Sequence, residues 1–160
     1  MKQKVKWMVV LSIVSILFSL QACLMPRNYT VGQPLKQNLI GKIQPFVTTK
    51  QQILDWFGLP HTILKPGEVA EIPYADSGGY VSGQNTQKIS TDTLFELFAS
   101  KHKITPNHRI YYYIYVKTSG MMVDFIIIHP DTSRTLTDKL LVLINEKTGL
   151  VEDYIISRKK

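Results

Sequence analysis

The sequence predicts an α+β domain of two layers, in which two short helices pack on one face of a roughly four-stranded antiparallel sheet. Three observations predict it. Two segments, near 49–57 and 91–98, repeat apolar residues at helical spacing. Beyond Arg109 the pattern changes to β-branched and aromatic runs. The links between those runs are short, and sequential strands with short links most simply form an antiparallel meander. Amphipathic helices beside such a sheet bury their stripes against it.

The chain opens on a segment that reads as removed from the mature protein, residues 1–22. Lys2, Lys4 and Lys6 make a positive start, and Trp7–Leu20 (WMVVLSIVSILFSL) is an apolar run. As a helix rising ~1.5 Å per residue it covers about 21 Å, short of the ~30 Å hydrocarbon core of a bilayer. That length fits a signal-peptide core better than a spanning helix. Leu20-Gln21-Ala22-Cys23 follows. The small Ala22 leaves room at a scissile bond, and Cys23 is the single cysteine of the chain.

This stretch resembles the lipobox of bacterial lipoproteins, with signal cleavage between Ala22 and Cys23 and lipidation (palmitate among the acyl groups) on Cys23. One myristoyl-sized chain binds a membrane only marginally, whereas two or more anchor stably. An uncleaved signal anchor with an incidental cysteine is the other reading. By resemblance to Gram-negative lipoproteins, Leu24 in place of Asp after the cysteine implies the periplasmic face of the outer membrane. In a source with a single membrane the address becomes the outer face of the plasma membrane.

Residues 23–43 contain Pro26, Gly32, Pro34 and Gly41 with no sustained apolar period, and read as a lipidated N-terminus and flexible tether. The domain proper spans 44–160. Thr48 or Thr49 can cap the first helix, with Gln51 or Gln52 as capping-box partner. Ile53, Leu54, Trp56 and Phe57 supply its stripe, and Gly58 and Pro60 end it. Glu68–Tyr74 reads as a short edge strand and 77–85 (SGGYVSGQN) as loop. The second helix starts near Ser90 or Thr91, places Leu94, Phe95, Leu97 and Phe98 on one stripe and closes before Pro106. Strands are predicted at Arg109–Lys117, Met121–His129, Leu140–Ile144 and Leu150–Ser157, with turns at Thr118-Ser119-Gly120 and Asn145–Gly149.

Trp56-Phe57-Gly58-Leu59-Pro60, the aromatic strand Tyr111–Tyr115 and the closing hairpin Leu141–Val151 come in an order that resembles the BamE-like (SmpA/OmlA) family of small lipoproteins. On that resemblance 44–160 is a BamE-like domain with an insertion at about 63–108. The function implied is a lipid-anchored, non-catalytic scaffold or accessory binding module of the cell envelope, in outer-membrane protein assembly or envelope maintenance. The alternative is an envelope inhibitor or small-ligand binding module, by analogy of fold alone.

The chemistry agrees with a binding role. Three of the lysines behind the formal charge of +7 leave with the leader, and the remaining charge is too scattered for nucleic acid. His61, His102, His108 and His129 show no metal-ligand spacing, so neither metal nor cofactor is expected. His102 and His108 straddle a proline turn, either as a folded pair or as exposed loop residues. No serine sits in a nucleophile elbow, and Gly78-Gly79 lacks the Lys-Ser/Thr of a phosphate loop. On the aromatic strand Tyr111, Tyr113 and Tyr115 alternate with Ile110, Tyr112, Ile114 and Val116. If helices cover the second set, the three tyrosines are the candidate surface for an envelope protein partner; packing on the neighbouring strand is the other reading.

Overall fold

The computed structural model describes residues 24–73, 86–123 and 134–159. Ala22, Cys23 and the leader, the 77–85 loop and most of the predicted strand Met121–His129 lie outside the described residues. Among those described, the chain order is β1 (Leu24–Val31), α1 (Gln37–Ile40), α2 (Lys50–Phe57), β2 (Thr62–Leu64), β3 (Val69–Pro73), β4 (Thr86–Ser90), α3 (Thr91–Ala99), β5 (His108–Val123), β6 (Arg134–Asn145) and β7 (Leu150–Lys159). The residues divide into two compact units. The larger comprises Tyr29–Lys117 and Thr135–Lys160 and holds both cores and the cleft described below; the smaller contains Leu24–Asn28 and Thr118–Arg134.

The fold differs from the expected two helices on a four-stranded sheet. Among the described residues, seven strands form two antiparallel sheets, with three short helices. The main sheet has the order β1-β5-β6-β7, and β2 also pairs with β5; β3 and β4 form a separate two-stranded sheet. Helices cover both faces of the main sheet. Ile110, Tyr112, Ile114 and Val116 of β5, with Leu141 and Leu143 of β6, pack against Phe95 and Phe98 of α3. Tyr111 and Tyr113, with Leu140, Val142 and Ile144, pack against Ile40 of α1 and Ile53 and Phe57 of α2. The physical reason is in the runs IYYYIYV and LLVLI: a strand that is apolar at every position is buried on both sides.

Local chemistry accounts for the helices. Thr49 caps α2 with a complete capping box: its Oγ1 accepts the Gln52 N–H (3.2 Å) and its own N–H donates to Gln52 Oε1 (2.8 Å). Gly58 ends it at φ 76°, its N–H donating to the Leu54 carbonyl (2.8 Å). At α3 the preceding Ser90 makes no capping bond. Thr91, fully buried, ties the helix start to the 65–68 turn instead: its Oγ1 donates to the Lys65 carbonyl (2.6 Å) and accepts the Glu68 N–H (3.1 Å). Leu97, expected on the α3 stripe, is 52% exposed. It lies about 200° around the helix from Phe95.

Two further expectations are corrected and a third is met. No turn occurs at Thr118–Gly120, because β5 continues through it. The stretch read as a tether carries β1 and α1, and buries Ile40 and Ile43. The short edge strand expected at 68–74 is present as β3, an edge of the two-stranded sheet, paired from Val69↔Ser90 to Pro73↔Thr86. The β6–β7 hairpin forms from Asn145↔Leu150 to Thr137↔Lys159, with a bulge between Leu143 and Ile144.

Candidate functional site

The three tyrosines expected to meet a partner are core residues. Tyr111, Tyr113 and Tyr115 are 2%, 3% and 9% exposed. Tyr113 packs its ring on Phe57 (centroids 5.8 Å apart) and donates its hydroxyl to the Gly58 carbonyl (3.1 Å). Burial, then the neighbouring Tyr111, pushes its pKa well above the usual range. Tyr111 donates to Glu146 Oε1 (3.2 Å), and Glu146 Oε2 holds Lys50 at 2.7 Å. On the face of Tyr111 and Tyr113 the sheet is covered by α1 and α2.

A concave site lies instead at one edge of β5, where two strands meet end to end. β2 occupies part of that edge, pairing Thr62↔Tyr112 and Leu64↔Ile110. Farther along, Gly32, the residue after β1, approaches Ile114 so closely that a Cβ there would sit 2.1 Å from the Ile114 carbonyl oxygen. Between them a side chain takes the place of a strand. His61 donates its backbone N–H to the Tyr112 carbonyl (2.9 Å), and its Nδ1 accepts the Ile114 N–H (3.4 Å). An accepting Nδ1 leaves the ring proton on Nε2 and the imidazole neutral. Desolvation lowers its pKa and favours that same form.

A cleft of about 280 Å³ opens at this junction. Its apolar walls are Leu35, Trp56, Phe57 and Leu59; Tyr113 and Ile114 also line it, together with His61 and Lys36. Leu59 is 87% exposed, although it follows directly on the helix end. An apolar group can be seated between Trp56 and Leu59, with one neutral ring donor and one ammonium among the lining groups to orient a polar end. In the sequence Trp56 is legible only as part of the helix stripe and its ending, Leu59 only as part of that ending and His61 only as a histidine without metal spacing.

The histidine pair is brought together, on a carboxylate. The Thr105 N–H donates to His108 Nδ1 (2.8 Å), which leaves Nε2–H to donate to Glu152 Oε2 (2.9 Å). Asn145 Nδ2 donates to Glu152 Oε1 (2.9 Å), and His102 Nδ1 stands 3.8 Å from Glu152 Oε2. Burial raises the Glu152 pKa, but the Asn145 and His108 hydrogen bonds outweigh it and hold the carboxyl below its usual range. His108 is 3% exposed, so the cluster clamps the β6–β7 hairpin to the start of β5 from within. Among the described residues no group of three or more His, Cys, Asp or Glu could hold a metal ion. No helix among them is long and apolar enough to cross a membrane. A second exposed apolar feature is Phe46-Val47, 61% and 64% exposed, with Phe46 at φ 62° and its ring 6.1 Å from that of His102.

Compared with protein-family models, curated proteins and solved structures, the chain matches none significantly.

Proposed function

We propose that this chain is a lipid-anchored, non-catalytic binding module of the bacterial cell envelope, held by acyl chains on Cys23 and taking an apolar anchor group of an envelope protein into the cleft beside Trp56. The observation that carries this reading is the cleft itself. It presents an exposed leucine and a tryptophan around a neutral imidazole donor, which suits recognition of a side chain. Leu20-Gln21-Ala22-Cys23 supports the anchor. Cys23 precedes Tyr29, the first residue of the larger unit, by six positions. Cys23 directly precedes Leu24, where β1 begins, so the acyl chains would sit at the start of that strand. The resemblance to the BamE-like family supplies the setting of the proposal, outer-membrane protein assembly at the periplasmic face.

Crosslinking and pull-down from membranes test the reading, comparing the natural protein with Leu59→Asp and Cys23→Ala. Leu59→Asp changes a side chain that is almost fully in solvent, so it removes the apolar lip without touching the core. Loss of a captured envelope protein with Leu59→Asp, and loss of palmitate labelling with Cys23→Ala, are the expected results. An unchanged set of captured proteins excludes the cleft as the partner site; persistent labelling excludes Cys23 as the anchor. The second reading, a small-ligand module, is favoured by the modest cleft volume. It predicts a small amphipathic molecule retained in native mass spectrometry of the membrane-extracted protein and lost with Leu59→Asp.

A further inference from the structure

The main sheet ends at β7, and most of the outer edge of β7 is unpaired among the described residues. Only its first turn is closed. Val151 donates to the Thr48 carbonyl (2.9 Å) and accepts the Phe46 N–H (2.6 Å). Glu152 is the extra residue at the bulge opposite Leu143 and Ile144. Beyond it the antiparallel alternation turns Asp153, Ile155, Ser157 and Lys159 toward β6. The N–H and C=O groups of Tyr154, Ile156 and Arg158 therefore face outward. The Tyr154 N–H is accordingly taken by the adjacent Asp153 Oδ1 (2.8 Å) and not by β6.

Such an edge is a template for another strand, and the β7 sequence specifies which one. Glu152-Asp153 lies at its start and Arg158-Lys159 at its end. We propose that β7 pairs antiparallel with β7 of a second copy of this chain, about a two-fold axis through Ile156. In that register all three outward residues find partners: Ile156 meets its own copy, and Tyr154 meets Arg158 in both directions. On the opposite face Asp153, which already meets Lys101 and His102 at 3.4 Å each, stands across from Lys159. Parallel pairing would instead stack like charges on like. A register shifted to centre on Ile155 would leave Arg158 opposite Glu152, where the bulge breaks the outward alternation. The exposed Arg158 and Lys159 discourage indiscriminate edge pairing; Arg158 already meets Asp138 and Gln37 within the chain, and this register adds an aromatic ring to it and sets Lys159 against an acid. This interface depends on the β6–β7 register alone, so its failure would leave the cleft and the lipid anchor as they stand.

Cysteine substitutions along β7 in the full mature protein, purified in detergent, test the register. Cα atoms of a hydrogen-bonded antiparallel pair lie ~5.5 Å apart, inside the range that a disulfide spans. Ile156→Cys should give a disulfide-linked dimer under mild oxidation. Tyr154→Cys, whose two copies lie roughly 13 Å apart at ~3.3 Å per residue, should not, and the unsubstituted protein with Cys23 alone is the control. Ile156→Pro removes an outward N–H without removing a bond to β6, and should abolish a concentration-dependent doubling of mass seen for the natural protein by light scattering. A natural protein that stays monomeric to its solubility limit overturns the proposal. So does crosslinking that peaks at Ile155→Cys, or that captures a different protein at Ile156→Cys.

Discussion

Replacing Gly32 with alanine probes the strand junction directly. Gly32 sits at φ 72°, where a Cβ costs about 1–2 kcal/mol. Its Cβ would also stand 2.1 Å from the Ile114 carbonyl oxygen and 2.9 Å from His61 Cε1. The first of these neighbours is backbone in the middle of a buried strand and cannot step aside, so the chain after β1 must lift away. That movement loosens the imidazole held against the Ile114 N–H and forfeits about 1 kcal/mol of hydrogen bonding. The expected total is about 2–3 kcal/mol, a fall in melting temperature of about 6–12 °C for a domain of this size. Gly149→Ala is the matched control. It has φ 70° with no atom within 4 Å of the added Cβ, so it isolates the conformational cost. Urea unfolding of both variants gives the comparison as a difference in free energy. If Gly32→Ala is no more destabilising than Gly149→Ala, within about 0.5 kcal/mol, the close approach at the junction is not what the structure makes it.

Three other outcomes follow from the same contacts. Phe98→Ala, at a fully buried position, should cost about 3–5 kcal/mol, while Leu97→Ala on the exposed face of α3 should stay within about 0.5 kcal/mol; thermal melts separate them. Leu59→Asp should likewise leave the melting temperature unchanged, and a large drop would mean that Leu59 packs where it looks free. For pH, the folded pKa of Glu152 is depressed, so its contribution is fully present above the unfolded carboxylate pKa, about 4.3. It is lost as pH falls through the lower folded value. Glu152→Gln should therefore flatten the loss of stability below about pH 4 in urea titrations at stepped pH; an identical acid slope in variant and natural protein would refute the clamp.

Much of the fold was legible where one residue type does one local job. Thr49 with Gln52, and Gly58 after Phe57, mark both ends of α2 in the sequence itself. Asn145–Gly149 marks the last hairpin for the same reason. What failed was context. Thr118-Ser119-Gly120 has turn composition, yet strand pairing carries β5 straight through it. Thr86–Ser90 (TQKIS) is polar and shows no strand alternation, and becomes β4 only because Val69–Pro73 lies beside it. The two-sided burial of β5 and β6 was readable in their unbroken apolar runs, but treating the helices as a single layer hid it and put three core tyrosines on a surface. The cleft had no sequence signature. It joins Gly32, Trp56, His61 and Ile114, which share no spacing, and its central feature is a side chain acting in place of a strand.

That substitution changes how the sheet breathes. Elsewhere on this edge of β5 an amide is released only when a neighbouring segment peels away, whereas the Ile114 amide needs just a swing of one imidazole about χ1. In deuterium exchange it should lose protection ahead of Tyr112. Acidification should lower its protection factor further, measured against the intrinsic exchange rate at each pH, since a protonated His61 becomes a donor at both nitrogens and can no longer receive that hydrogen.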